Sequence, residues 1–141
     1  MASLRDILVE NPVIAAVRSS DDVDAAGEGR AKIVFVLYGS LLSLPDICAR
    51  LRNAEKTVFV HADMIDGLKG DMAGVEYIRK FADCDGILST RPGVLKCARQ
   101  LQFQTILRIF LLDSLSLKTG IKNIHETGPD AVEIMPGIAF R

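Results

Sequence analysis

The chain has 141 residues, 49% of them hydrophobic and 25% charged, and its formal net charge at pH 7 is −1. This length and composition predict one globular domain with its own core and argue against intrinsic disorder. A net charge this close to zero provides no overall attraction to nucleic acid or to a membrane.

The sequence has no predicted membrane or export segment. Its longest apolar runs, such as residues 109–112, are far too short to span a bilayer, and residues 1–6 lack the charged-then-apolar pattern of a signal peptide. The three cysteines, Cys48, Cys84 and Cys97, are odd in number and widely spaced, which argues against a disulfide framework. We therefore expect a cytoplasmic protein with reduced thiols and no membrane partner.

Six short apolar segments have the composition of buried β-strands. They are rich in β-branched and aromatic residues, and polar or turn-forming residues follow them. In chain order they comprise residues 13–17, 33–37, 58–60, 86–90, 105–112 and 131–135.

The segments between these strands place apolar residues at helical spacing. The acidic residues 21–29 predict a weak helix at best, whereas Ser43 and Asp71 are predicted N-caps of the next two helices. Pro92 is expected to open a further helix, and Gly128 to end the last one. The predicted inward-facing residues of these helices are Leu44, Ile47, Cys48 and Leu51, then Val75, Ile78, Phe81 and Ala82, then Val94, Leu95, Ala98 and Leu101, and finally Leu117, Ile121 and Ile124.

Alternation of strands and helices predicts parallel strands joined by right-handed crossovers. This α/β pattern fits either an open doubly wound sheet or a (β/α) barrel. No glycine fingerprint of the Rossmann or P-loop kind follows a strand, which disfavours a nucleotide-binding open sheet. Polar residues at the ends of nearly all strands favour a TIM-barrel-like parallel sheet, whose site is assembled from all the strand ends. Residues 1–141 are expected to form one such domain.

The third strand ends in the densest polar cluster of the chain. His61 and Asp63 lie two residues apart, so they would project to the same side if the strand continued through them. Asp66 then breaks the strand, and Lys69 adds a cation. We predict that His61, Asp63 and Lys69 bind a ligand; hydrogen bonding within the protein is the alternative for the first two. A metal is not expected, because the only other histidine, His125, lies in a predicted helix.

Two later strands carry a charge inside an apolar segment, Arg108 and Glu133. Burying either charge alone is costly, so the two are predicted to pair across adjacent strands. The functional alternative makes Arg108 an anchor for a phosphate and Glu133 an acceptor for hydroxyl groups. The two interpretations are compatible.

Ser89, Thr90 and Arg91 end the fourth strand just before a helix. They are candidate anion-binding residues, with a simple helix cap and an exposed arginine as the alternative. Asp113 is a candidate ligand-binding residue, with a helix N-cap as the favoured alternative.

Residues 87–112 contain no Asp or Glu. Within them, Lys96 and Arg99 are weak candidates for contact with RNA phosphates, although cations on one helix are usually only a solvated face.

Four segments form a specific set of motifs: VHADMI (60–65) with Gly67 and Leu68, GILSTR (86–91), RIFLLDS (108–114) and PDAVEIMPG (129–137). In this order and spacing they resemble the bacterial glycerol-3-phosphate-responsive antiterminator family. The resemblance covers residues 14–138. It implies a TIM-barrel-like fold and a regulator of glycerol metabolism that senses glycerol-3-phosphate and acts on the leader of its messenger RNA. No cofactor besides that effector is expected.

Members of this family continue for roughly two more βα units, which supply the customary phosphate-binding loops of a barrel. By this resemblance we expect a barrel truncated to about six βα units: either the given sequence is a fragment of a longer barrel, or the protein has an open six-stranded sheet without the standard phosphate-binding loops. Open sheet edges would then favour a homo-oligomer. The alternative to a regulator is a small barrel enzyme acting on a phosphorylated three-carbon or sugar substrate, with His61 or Asp63 as base and Arg108 as clamp.

Overall fold

The computed structural model describes residues 3–136 and contains one six-stranded parallel sheet. The strands pair in sequence order and curl into a half-barrel, with helices alternating between them. The predicted α/β class and TIM-barrel-like architecture are therefore confirmed for the described residues. The strands are β1 Ile14–Val17, β2 Ile33–Val36, β3 Thr57–His61, β4 Gly86–Ser89, β5 Gln104–Phe110 and β6 Ala131–Met135. Gly137, predicted with Pro136 to close the last strand, lies outside the described residues.

Six α-helices accompany the strands within the described residues: α1 Leu4–Glu10, α2 Ser20–Glu28, α3 Leu44–Asn53, α4 Met72–Phe81, α5 Pro92–Gln100 and α6 Ser114–Thr127. The sequence patterns missed α1 and undervalued α2. Both helices begin at a serine N-cap, because Ser3 and Ser19 each accept a hydrogen bond from the backbone three residues ahead. None of the helices described between residues 3 and 136 is long and apolar enough to cross a membrane.

The strands separate two apolar clusters. Side chains alternate between the faces of each strand, so Ile33 and Phe35 of β2 point inward while Val34 and Val36 pack under the helices. The inner cluster also holds Leu4, so that α1 packs against the inside of the sheet. Both faces are thus filled.

One helix prediction is confirmed in position and another is wrong. Ser43 occupies the predicted N-cap position of α3, although its backbone is already helical and its hydroxyl accepts a hydrogen bond from the backbone of Ser40 and not from the helix. Phe81 is 60% exposed, because α4 ends there and turns its last residue toward solvent. The predicted cap by Asp71 is present, with its carboxylate 2.9 Å from the backbone nitrogen of Gly74.

The last helix is only partly covered. Leu117 and Ile121, predicted to face inward, are 47% and 46% exposed. Helix α6 packs on β5, and β6 is the last strand of the sheet within the described residues. The apolar stripe of α6 therefore extends past the sheet that it covers.

Candidate functional site

The strand register brings the predicted polar residues to one end of the sheet. His61 is in register with Leu88, and Arg108 lies directly opposite Glu133 on β5 and β6. Alternation along the strands places His61, Arg108 and Glu133 on the inner face near the carboxyl ends of the strands, and Asp63, Ser89, Thr90 and Arg91 lie at the same end of the sheet, where β3 and β4 stop. We call this group the mouth; it consists of His61, Asp63, Ser89, Thr90, Arg91, Arg108 and Glu133.

Strand β3 stops earlier than the sequence pattern predicts. It ends at His61, and Ala62–Met64 form a single 3-10 turn. The expectation that the strand runs through Asp63 is therefore wrong. The turn instead carries the Asp63 carboxylate to the end of β4, where hydrogen-bond donors are available.

The Asp63 carboxylate accepts four hydrogen bonds from three consecutive residues. One oxygen accepts from the Ser89 hydroxyl at 2.6 Å and the Arg91 Nε at 3.0 Å. The other accepts from the backbone nitrogen and the hydroxyl of Thr90, at 2.8 and 2.7 Å. A carboxylate offers about four lone-pair sites, so Asp63 is saturated by its own neighbours.

These bonds also set the protonation of Asp63. Burial alone would raise the pKa of this carboxyl, but the donors on Ser89, Thr90 and Arg91 outweigh burial and hold the pKa below its ordinary value. Asp63 is therefore an anionic group that ties the end of β3 to the end of β4.

The Arg91 guanidinium packs closely against Gly70, a residue that the sequence patterns did not identify. Gly70 lies so close to the guanidinium that a Cβ atom there would sit 2.5 Å from the Arg91 Nη1. The Arg91 side chain is half-exposed and makes no capping hydrogen bond to α5. The Arg91 backbone nitrogen donates a hydrogen bond to the Ser89 hydroxyl at 3.0 Å. The free side of this guanidinium faces solvent.

His61 is buried next to Asp63 without bonding to it. The imidazole is 2% exposed, and its Nδ1 lies 3.9 Å from an Asp63 oxygen, too far for a hydrogen bond. Nδ1 has no hydrogen-bond partner among the described residues. Burial lowers the pKa of His61, and the attraction of the Asp63 carboxylate only partly opposes this. The ring is therefore neutral near pH 7.

Arg108 and Glu133 form the predicted ion pair. The Arg108 Nε donates to a Glu133 carboxylate oxygen, and the two side chains are 14% and 24% exposed. Because both are mostly removed from solvent, each compensates the charge of the other. The pair forms the wall of the mouth on β5 and β6.

A cleft of about 400 Å³ opens beside the mouth, a size typical of small-ligand pockets. Thr90 and Arg108 belong to both the mouth and the cleft. The opposite wall is one face of α6, which the sequence patterns treated only as an apolar stripe. The cleft is lined by Thr90, Arg108, Ile109, Phe110, Asp113, Leu115, Ser116, Thr119, Gly120 and Asn123. Ser116, Thr119 and Asn123 are spaced three and four residues apart, and this spacing could have indicated from the sequence that α6 has a polar face.

The remaining predicted residues lie at the periphery or have other contacts. Lys69 is exposed on the loop before α4, and Lys96 is exposed on α5. Asp113 caps α6 through a capping box with Ser116. Arg99 donates to the backbone oxygens of residues 127 and 128, at 3.1 and 2.9 Å, so its guanidinium binds the end of α6. Within residues 3–136 no group of three His, Cys, Asp or Glu side chains is arranged to hold a metal ion.

Comparison with known proteins identifies close relatives of this half-barrel. The family described as "Glycerol-3-phosphate responsive antiterminator" matches residues 13–141. The Escherichia coli (strain K12) protein YgcP, described as uncharacterized, is 34% identical over 134 residues, which are 95% of this chain and 70% of YgcP.

Solved structures give the same picture. The glycerol uptake operon antiterminator regulatory protein of Listeria monocytogenes superposes with a TM-score of 0.84 at 29% identity, over 89% of this chain and 68% of that one. A glycerol uptake operon antiterminator-related protein of Thermotoga maritima gives 0.79 at 32% identity, over 88% and 70%. A D-psicose 3-epimerase, with a TM-score of 0.50 and 9% identity over 86% of this chain and 58% of its own, shares the fold alone.

Proposed function

The chain belongs to the glycerol-3-phosphate responsive antiterminator family, and from this premise we propose that it senses glycerol-3-phosphate and acts on the leader of a messenger RNA to prevent premature termination. Transcription antitermination is the activity that the family name states. The ligand site and the RNA contact in this chain are the parts that we propose.

One observation supports the sensing role most directly. The mouth and the adjoining cleft lie together at the carboxyl ends of parallel strands, where barrel proteins bind their ligands. We propose that the effector contacts Arg108, Thr90 and Glu133, with His61 beneath them. Because Asp63 is saturated within the protein, its proposed role is to position Ser89, Thr90 and Arg91. Lys69 and Asp113 stay predicted contacts at the edge of the site.

The RNA contact is supported by family membership and by few surface features. Lys96 is exposed on α5 and is available for a phosphate contact, whereas Arg99 already binds two backbone oxygens. We therefore keep Lys96 as the candidate and expect Arg99 to act through the stability of α6. Binding to RNA should weaken as salt rises, because phosphate contacts release counterions.

The test is a titration of a fluorescently labelled leader transcript of a glycerol uptake operon, followed by anisotropy with and without glycerol-3-phosphate. We expect the effector to change the RNA affinity severalfold. Arg108→Ala should abolish the response, and Lys118→Ala, on the exposed side of α6, should retain it. Thermal melting establishes that both variants are folded. If the folded chain binds no leader RNA in either condition, the RNA part of the proposal is refuted.

The enzyme alternative has one supporting observation, a neutral imidazole at the mouth whose buried Nδ1 has no hydrogen-bond partner within residues 3–136. Its second candidate base is weak, because the pKa of Asp63 is lowered by four donors. Turnover of triose and sugar phosphates by the purified chain, lost in His61→Ala, would establish this alternative. No turnover across such a panel would leave the regulator as the proposal.

Two further properties follow as proposals from this function. Antitermination acts on nascent transcripts, so we propose a cytoplasmic location. We also propose a homo-oligomer, because Leu112 and Leu117 are exposed near β6, the edge of the described sheet. Light scattering that gives the mass of one chain at all concentrations would contradict the oligomer.

A further inference from the structure

We propose that the cleft beside the mouth recognises the hydroxyl groups of a neutral polyol end of the ligand, and that it does not hold the phosphate group. This inference rests on the proposed function, because it assigns one part of glycerol-3-phosphate to the described residues. It concerns the chemical class that the cleft accepts: glycerol-like diols and triols.

The charges around the cleft do not suit a phosphate. The two arginines of the mouth are each bound to a carboxylate, Arg91 to Asp63 and Arg108 to Glu133. Asp113 adds a further carboxylate to the lining of the cleft. Two cations and three carboxylates give this region a formal charge of −1. A phosphate dianion would meet a net repulsion, or would have to displace Glu133 from a mostly buried pair.

The uncharged groups of the cleft do suit hydroxyls. Helix α6 presents the Thr119 hydroxyl and the Asn123 amide to it. Neither side chain makes a hydrogen bond to another of the described residues, whereas the Ser116 hydroxyl is used in the cap of the helix. An amide and a hydroxyl can each donate and accept hydrogen bonds, and so can the hydroxyl groups of a polyol. A phosphate dianion only accepts, so it would leave the acceptor atoms of Thr119 and Asn123 without a partner.

The close approach of α6 depends on Gly120. A Cβ atom at this position would lie 3.0 Å from the Ile109 side chain of β5. The absence of a side chain lets the helix lie against β5 and brings Thr119 and Asn123 across from Arg108 and Thr90. The polar stripe is thus held at the cleft by backbone packing.

The imidazole of the mouth does not line the cleft, but it favours the same neutral chemistry for a ligand that reaches from the cleft into the mouth. His61 Nδ1 is buried without a partner among the described residues, and the ring is neutral. A neutral ring presents a donor at one nitrogen and an acceptor at the other. A hydroxyl, or a water bound with the ligand, satisfies either form, while a phosphate oxygen satisfies only the protonated nitrogen.

The experiment is an NMR titration of the full chain at constant ionic strength with three probes: glycerol, glycerol-3-phosphate and inorganic phosphate. The shifts of the Asn123 side-chain amide report the cleft, and the exposed Asn53 amide at the end of α3 serves as the internal reference. We expect glycerol and glycerol-3-phosphate to shift Asn123 with affinities within about tenfold of each other, and inorganic phosphate to leave it unchanged.

Three outcomes are distinguishable. Similar affinities with no phosphate effect support the inference. If glycerol-3-phosphate binds more than about a hundredfold more tightly than glycerol and inorganic phosphate competes with it, the inference is overturned while the sensing proposal stands. If neither glycerol nor glycerol-3-phosphate binds, the sensing proposal fails and this inference fails with it.

Matched variants test the groups themselves. Thr119→Val and Asn123→Ala should each weaken glycerol binding by about threefold to tenfold, the value of one hydrogen bond, while Asn53→Ala leaves it unchanged. Glu133→Gln keeps the shape of its side chain and releases Arg108 from its carboxylate. It should raise the affinity for glycerol-3-phosphate relative to glycerol severalfold. An unchanged ratio in folded Glu133→Gln would contradict the charge argument.

Discussion

Replacing Asp63 by asparagine tests whether this carboxylate holds the mouth together. The side chain is 17% exposed and accepts four hydrogen bonds. An asparagine oxygen can keep the two bonds from Thr90, and the Ser89 hydroxyl can rotate to accept from the new amide. The half-exposed Arg91 then faces a donor and moves into water, a loss of up to about 1 kcal/mol.

The larger effect is the loss of charge from the bonds that remain. Hydrogen bonds to a charged group contribute about 1.5–3 kcal/mol and neutral ones about 1 kcal/mol, so each of the three remaining bonds weakens by at least about 0.5 kcal/mol, or about 1.5 kcal/mol together. Altogether, Asp63→Asn should lower the free energy of unfolding by about 2–3 kcal/mol. For a chain of this length, that is a fall in Tm of about 6–10 °C.

Urea denaturation followed by far-UV circular dichroism measures the difference, and a thermal scan provides the second reading. The matched control is Asp71→Asn at the N-cap of α4, where asparagine and aspartate cap equally well, so that variant should be nearly neutral. A loss in Asp63→Asn below about 0.5 kcal/mol, no larger than in the control, would refute the role of Asp63 as the organising group.

The remaining predictions concern the ion pair, the imidazole and the close helix contact. Arg108→Ala and Glu133→Ala should each cost about 2–3 kcal/mol of unfolding free energy, and the double variant less than their sum, as a double-mutant cycle in urea would measure. Burial lowers the pKa of His61 in the folded chain, so on acidification the unfolded chain binds the proton first. The stability that neutral His61 contributes should therefore be fully present above pH 6.5 and should fall as the pH drops through 6.5. Thermal melts from pH 7.5 to 5 should show this slope in the parent chain and not in His61→Asn. Gly120→Val should lose about 1–3 kcal/mol by overpacking against Ile109, and an unchanged melt would contradict the close packing.

The fold was predictable because its signal repeats along the chain. Strand β2 is apolar throughout, as expected for a strand covered on both faces. The predicted adjacency of β5 and β6 was enough to predict that Arg108 and Glu133 pair. Helices α1 and α2 were harder to predict, because short polar segments with two or three apolar residues carry weak periodicity. Their serine caps and the burial of Leu4 and Val23 stabilise them in the folded chain.

The polar residues that lie together at one end of the sheet could be predicted in part from the sequence. The residue types at the strand ends were identified, but the direction of each side chain depended on tertiary contacts. The 3-10 turn after His61 brings the Asp63 carboxylate to internal donors, which was the alternative to a ligand contact, and the ligand contact itself stays a prediction. Thr119 and Asn123, which we propose as ligand contacts, were not candidates, because on α6 an apolar stripe dominated the pattern and the cleft exists only where the helix meets β5.

The sequential order of the strands has a consequence for synthesis. Within the described sheet, each strand after β1 pairs with the strand made immediately before it. A nascent chain leaving the ribosome can therefore add one strand and one helix at a time to a surface that already exists. Each new strand needs to pair only with the preceding strand, so the sheet can fold one strand at a time from β1 onward.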